Sequence, residues 1–337
     1  MTLSVVAGWG SAQGFTDLTS ASSASHIHGP TAANNGSGFT QTAGVLSTLT
    51  RSSSLATGGT FAQGVVLTSQ QQTDLFNGKD YINIHTTNNG GGEVRGFLVP
   101  TLAPTVTTPT SASITTITAT LGGNVTSDGG APPITERGVV YAVTTTNADP
   151  LIGGVGVTKL VTSGTTGVFT AAVTGLTANT GYSFKAYAIN STGTTYTAPV
   201  ATFSTLSVQQ GWRQQFFGTT ANTGNAADTA DPDVDGIVNL LEYATGLNPT
   251  TSNSLVTPAV KNGSNLEFTY PRSVAAQNAG TTFTVEWSDT LAANSYSTTG
   301  VSEVVLSTTS GVQQVKATLP AGSNGRRFVR LKVTAAP

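Results

Sequence analysis

The feature that most constrains this chain is a period-two alternation of apolar and polar residues in short runs rich in threonine and valine. In Gly181 to Asn190 (GYSFKAYAIN), Tyr182, Phe184, Ala186 and Ala188 fall on one face, with Ser183, Lys185, Tyr187 and Ile189 on the other. Thr282 to Trp287 (TFTVEW) and Phe328 to Val333 (FVRLKV) repeat the pattern. A period of two belongs to a strand, and β-branched residues suit its pleated surface. Composition extends the argument to the whole chain. The 61 threonines and 31 serines make up 27% of 337 residues, and only 9% are charged, where about 25% is ordinary. A surface of hydroxyls rather than ions cannot clothe long helices, which use Glu, Lys and Ala on their wet faces. The expected class is all-β. With 37% apolar residues in regular alternation, such a chain buries a core rather than staying disordered.

The same numbers exclude functions. A net charge of −2 without a basic run offers nothing to displace phosphate counterions, so no nucleic-acid partner is expected. Cysteine is absent, which removes disulfide scaffolds, thiolate metal sites and thiol nucleophiles. No apolar run reaches the roughly 18 residues of a membrane span, so no transmembrane segment is expected. The start, MTLSVVAGWG, lacks the basic and apolar regions of a secretory signal. Two expectations follow: a cytosolic protein, or an incomplete chain whose leader precedes Met1. No Gly-x-Ser-x-Gly elbow, phosphate-binding glycine loop or close acid pair within a β-rich block is visible, so no enzyme activity is expected.

Length alone suggests two or three domains, and punctuation separates four blocks. Residues 1–100 contain all three histidines. Pro100 to Pro109 (PTLAPTVTTP) reads as an extended linker. Residues 101–206 show short strands with frequent turn signals, the pattern of a sandwich. Residues 207–250 form the one helical stretch, and 251–337 return to alternation. The expected architecture is a series of antiparallel β-sandwiches with a short helical segment between the last two.

That helical segment carries an acidic loop. Asp231, Asp233, Asp235, Gly236 and Glu242 fit D-x-D-x-D-G-x5-E, with Asn239 at the ninth position and the Ile237 carbonyl at the seventh. Calcium takes six to eight hard oxygens. Alternating aspartates supply them from a tight turn, glycine allows the left-handed bend, and the final glutamate returns from the exiting helix. The alternative is a solvated acidic turn capping a helix. Residues 228–242 hold five acids and no base, so this one window accounts for the negative net charge. Pro232 and Val234 are unusual inside such a loop. A helix from Ile237 to Thr245 would turn Val238, Leu241 and Thr245 to one side. Trp212, Phe216 and Phe217 of GWRQQFF would be its packing partner.

The histidines form the second constellation. His26 and His28 lie two apart on an expected strand, so their rings share a face. In Tyr81 to Thr86, Tyr81, Asn83 and His85 share a face. A hairpin through Thr87 to Gly91 would place His85 opposite Glu93, Asn83 opposite Arg95 and Tyr81 opposite Phe97. One reading is a zinc or copper site of His26, His28 and His85, with Glu93 as fourth ligand or as the acceptor fixing a tautomer. The other is a buried hydrogen-bond network in which Arg95 pairs with Glu93 and the imidazoles satisfy loop backbone groups. In the last block, Trp287, Tyr270 and Tyr296 suit either a sugar-stacking face or a core.

Three resemblances rest on these residues. HIHGP at His26 to Pro30, with NGKDYINIHTTNNGGGEVRG ending at Gly96, resembles the CHRD domain of chordin-like and bacterial extracellular proteins. By this resemblance the domain's first strands would precede Met1, implying a truncated chain without its signal sequence. GYSFKAYAIN, with Leu176 upstream and Ser191-Thr192-Gly193 following, resembles a fibronectin type III-like domain, a spacer or docking module. The segment from Trp212 to Pro249 resembles a single dockerin-like or thrombospondin type 3-like calcium module. Together they imply a secreted, non-enzymatic surface, matrix or adhesion protein that binds calcium and an extracellular protein or glycan. Two alternatives are an accessory carbohydrate-binding region of a larger secreted enzyme and a metal-dependent oxidoreductase using the histidines.

Overall fold

The computed structural model describes residues 2–6, 18–32, 41–50, 57–58, 62–98, 102–130, 133–322 and 326–336. Its architecture is a set of antiparallel sheets with a few short helices, as the alternation predicts.

The N-terminal region holds β1 (Thr2–Val6), β2 (Ser22–His28), β3 (Val45–Thr48), β4 (Ala62–Val66), α1 (Ser69–Phe76), β5 (Tyr81–Thr86) and β6 (Val94–Phe97). β1 pairs with β4, and the other four strands form a sheet in the order β3-β2-β5-β6. Ile27, Leu49, Leu67, Leu75, Ile82 and Ile84 pack as its core. The β2–β5 register sets Ile27 against Ile82, His26 against Asn83 and His28 against Tyr81. Because successive side chains alternate between faces, burying the isoleucines puts His26, His28 and His85 together on the other side.

The second region is a sandwich. It runs through β7 (Thr105–Ala112), β8 (Ala119–Ser127), β9 (Glu136–Val143), β10 (Thr158–Thr162), β11 (Gly167–Val173), β12 (Gly181–Asn190), β13 (Gly193–Tyr196) and β14 (Ala201–Ser204). One sheet is ordered β7-β8-β11. The other is β10-β9-β12-β13, with β14 also on β12. Leu121, Val139, Phe169, Phe184, Ala186 and Phe203 fill the space between them. At Gly123 an added Cβ would lie 2.4 Å from Ala186 Cβ, so the two sheets approach closely only because that side chain is absent. The Tyr182 hydroxyl accepts a hydrogen bond from the Thr177 amide at 2.9 Å, the corner brace common in such sandwiches. Tyr187, on the polar face by alternation, is nonetheless buried and donates to Glu136 Oε1 at 2.8 Å.

Two local outcomes depart from sequence expectation or extend it. The Pro100–Pro109 stretch is not simply a linker, because Thr105 to Pro109 belong to β7; residues 99–101 lie outside the described residues. Proline is tolerated there because β7 is an edge strand and its register against β8 shifts between Thr107 and Thr110, so Pro109 falls at a bulge where no ladder amide is needed. In addition, Arg137 is buried and donates to the carbonyls of Ser163, Thr165, Thr166 and Gly167. One guanidinium thereby holds the whole β10–β11 turn.

Helices α2 (Val208–Phe217) and α3 (Asn239–Thr245) follow. α2 begins without slack. The Leu206 amide donates to Thr115 O in the sandwich, and Ser207 next to it caps the helix in a reciprocal box with Gln210. Trp212 packs on Phe216, Phe217 and Tyr243, with ring centroids 5.3, 5.8 and 5.7 Å away, which joins α2 to α3 as the sequence predicts. The helix start does not match. α3 begins at Asn239 rather than Ile237, and its buried side is Asn239 with Glu242 to Thr245, whereas Val238 is exposed. The reason is that Val238 stays extended as the residue before the helix, while the Ile237 amide is tied back to Asp235 to close the acidic loop.

The final region comprises β15 (Ala259–Asn262), β16 (Asn265–Ser273), α4 (Val274–Asn278), β17 (Thr282–Ser288), β18 (Ser302–Thr309), β19 (Val312–Pro320) and β20 (Phe328–Thr334). A β15-β16-β19-β18 sheet faces the β17–β20 pair across Phe268, Tyr270, Val285, Val315 and Leu319. α3 touches β16, β20 and α4, and Gly246 at its end lies against Val312. Among the described residues no helix is long and apolar enough to cross a membrane.

Candidate metal centres

The acidic loop closes through its own backbone. Asp231 accepts from the amides of Asp235 and Gly236 at 3.2 and 2.9 Å. Asp235 accepts from Ile237 at 2.8 Å and from Asn253 at 2.9 Å. Gly236 sits at φ 91° and Val234 at φ 59°, so the turn takes two left-handed residues, one of them β-branched and strained. Val234 faces solvent, which explains how an apolar residue is accommodated inside a polar loop.

Asp231, Asp233 and Asp235 each bring a carboxylate oxygen within 4.8 Å of the others. Both oxygens of Asp233 are out of solvent and without a hydrogen-bond partner. Glu242 stands outside that tight trio but is completely buried, with both carboxylate oxygens also unpartnered. Burial, and then the charges of Asp233, Asp235 and Asp231, push its carboxyl up to about 7. Burial likewise raises Asp233, helped by Asp235. An unpaired buried carboxylate next to three others is unfavourable unless a cation shares the site. These donors are hard oxygens, so the residues present fit calcium.

The remaining expected ligands divide. Ile237 is held by its amide at the loop's end. The Asn239 side-chain nitrogen donates to the carbonyls of Asn225 and Ala227 at 2.8 and 2.7 Å and so anchors the incoming segment, while its Oδ1, the atom that would ligate, is buried and unpartnered. Asn253 was not legible in the motif. It lies beyond the spacing pattern, yet it ties off Asp235 and has a buried, unpartnered Oδ1.

The three histidines converge as expected. One ring nitrogen of each of His26, His28 and His85 lies within 4.8 Å of the others. His26 Nδ1 is 3.1 Å from His85 Nε2. His28 Nδ1 meets Ala43 O and His85 Nδ1 meets Gly90 O, both at 2.9 Å. The imidazoles therefore do satisfy loop carbonyls, as the network reading expects.

Glu93 does not join them, either as ligand or as acceptor. It accepts from Thr86 Oγ1, Thr19 and Asn89, and these hydrogen bonds, the Thr86 hydroxyl first, hold its carboxyl down at about 2. The β5–β6 ladder matches the expected Tyr81–Phe97 and Asn83–Arg95 pairs but stops at Ile84–Val94. Gly92, at φ 114°, turns the chain so that Glu93 reaches the Thr86 side. Arg95 does not pair with Glu93 either; its guanidinium lies 3.6 Å over the Tyr81 ring and donates to Gln41 O.

The aromatic residues of the last block do not assemble into a face. Tyr270 is fully buried, stacked between Phe268 and Phe283. Arg327 lies 3.5 Å over Trp287, and Arg330 lies 3.5 Å over Tyr296.

A family model for the CHRD domain matches residues 5–98, the stretch that carries the histidine cluster. No curated protein matches the chain. Among solved structures, the sensor domain of the anti-sigma factor RsgI4 of Pseudobacteroides cellulosolvens is 17% identical, with 31% of this chain and 76% of that one covered and a TM-score of 0.24. The third fibronectin III domain of the human KIAA0343 protein is 15% identical, with 32% and 84% covered and a TM-score of 0.24.

Proposed function

We propose that this chain is a non-enzymatic, secreted modular protein of a cell surface or matrix. In this reading a calcium ion held by Asp231, Asp233, Asp235 and Glu242 stiffens the joint between its two C-terminal sandwiches. The CHRD domain presents a binding face to an extracellular protein or glycan, and the β7–β14 sandwich is a spacer. The observation that carries the calcium reading is Glu242: a fully buried carboxylate with neither oxygen partnered, beside three aspartates.

The position of the loop supports a mechanical role. α2 grows directly from β14 and α3 rests on β16, β20 and α4. A cleft of about 610 Å3 between them is lined by Ile114 and Leu206 of one sandwich, Trp212 and Tyr243 of the helices, and Ser273 and Ala275 of the other. Fixing the loop fixes α3, and through α3 the last sandwich. A single loop without an EF-hand partner suits a structural ion better than a sensor, and millimolar external calcium is enough for a weak site.

Calorimetric titration should show one calcium ion per chain, lost in Asp233→Asn. Small-angle scattering should show a narrower range of shapes in calcium than in EDTA. Unchanged scattering together with no heat of calcium binding would overturn the proposal.

A further inference from the structure

We propose that His26, His28 and His85 form a second, chemically distinct site, for a zinc-class transition-metal cation. A carbonyl oxygen only accepts, so the contacts to Ala43 O and Gly90 O require the proton of both His28 and His85 to sit on Nδ1. The neutral rings then carry their lone pairs on Nε2. Backbone carbonyls binding the far nitrogen are the usual device that orients a metal-ligating histidine.

One ring nitrogen of each histidine meets the others in one place. His28 Nε2 is buried with no hydrogen-bond partner, and such a group ordinarily destabilises a fold unless something binds it. His26 Nδ1 donates to His85 Nε2 at 3.1 Å, a hydrogen bond that a cation would replace as His26 moves its proton to Nε2; the spacing is close to the roughly 3.3 Å that separates two nitrogens on a tetrahedral zinc with bonds of about 2.0–2.1 Å. All three rings project from two adjacent strands whose register is fixed by Ile27 and Ile82. The Tyr81 ring stacks on His28 at 5.0 Å, so the tripod is held before any ion arrives.

Donor chemistry sets the class of ion. Three imidazoles with Glu93 engaged elsewhere offer nitrogen alone, which suits zinc or copper and not calcium or magnesium. His26 and His85 are only half-buried, which leaves an entry path, and three protein ligands leave a fourth tetrahedral position for water or an incoming ligand.

The test uses the full chain, saturated with calcium so that the acidic loop is filled. Titration with zinc chloride should give one tight zinc per chain, and cobalt chloride should give the intense visible bands of a low-coordinate nitrogen site. His26→Gln and His85→Gln, at half-buried positions, should abolish both signals while circular dichroism stays unchanged; Glu93→Gln should retain both. A folded wild-type chain that takes up no zinc, or uptake equal in wild type and both histidine variants, would overturn the site and leave the hydrogen-bond network alone. Neither result bears on calcium.

Discussion

Replacing Glu242 by Gln removes a charge while keeping volume, and calcium reading and structural reading predict different outcomes. Without calcium, the wild-type carboxylate is fully buried, unpartnered and next to three aspartates. An unsatisfied buried polar group costs about 1–3 kcal/mol, more when charged. The charges of Asp233, Asp235 and Asp231 add to this cost, less where water screens them. Glu242→Gln should therefore be more stable than wild type in EDTA, by about 1–3 kcal/mol. With calcium at a hundredfold excess over its Kd, wild type gains about 2.7 kcal/mol, while the variant, missing one anionic ligand, gains less. The advantage should then shrink to nothing or reverse. Differential scanning calorimetry of both proteins, in EDTA and in calcium, reads all four corners of this cycle. If Glu242→Gln is destabilising by the same amount in both conditions, the glutamate is an ordinary packed residue and the reasoning fails.

Two further predictions concern other buried charges. Asp80 is almost completely buried, and burial, with the nearby Asp74 charge adding to it and Lys79 opposing, raises its carboxyl to about 6. A carboxyl raised on folding contributes stability that is complete below its unfolded value near 3.8 and is lost as pH climbs through 6. Glu93, held down at about 2, works in the opposite sense at the acid end of that window, so the comparison is with Asp80→Asn: wild type should lose stability relative to the variant as pH rises through 6, by up to about 3 kcal/mol; the same pH dependence in both proteins would refute the assignment. Arg137→Ala should destabilise the β7–β14 sandwich by about 2–4 kcal/mol in urea unfolding, because four carbonyls lose a charged donor. Arg137→Lys should recover only part of this, since an ammonium lacks the fork that spans Ser163 to Gly167; full recovery would show that charge alone matters.

Much of this was written in periodicity. Ile27, Ile82 and Ile84 had to be buried, and that requirement alone put His26, His28 and His85 on one face. The acidic spacing likewise placed Asp231, Asp233 and Asp235 together. What stayed hidden depends on where backbone bends. Glu93 shares the right parity with His85, but Gly92 turns the chain before the ladder reaches it, and no pattern of side chains announces where a ladder ends. The proton positions of His28 and His85 depend on carbonyls of Ala43 and Gly90, groups every residue carries. Asn253 is set by a return of the chain that the motif does not contain. Pro109 reads as linker because proline usually breaks a ladder, and only the pairing shows that it sits at a bulge.

The junction of Leu206 and Ser207 has a mechanical consequence. The last hydrogen bond of the sandwich and the cap of α2 fall on neighbouring residues, so no freely rotating bond lies between them to absorb torsion. A twist applied to the sandwich reaches α2 undiminished, and the Trp212–Tyr243 contact hands it to α3. Inserting a few glycines after Leu206 would introduce play at that coupling without disturbing either hydrophobic core.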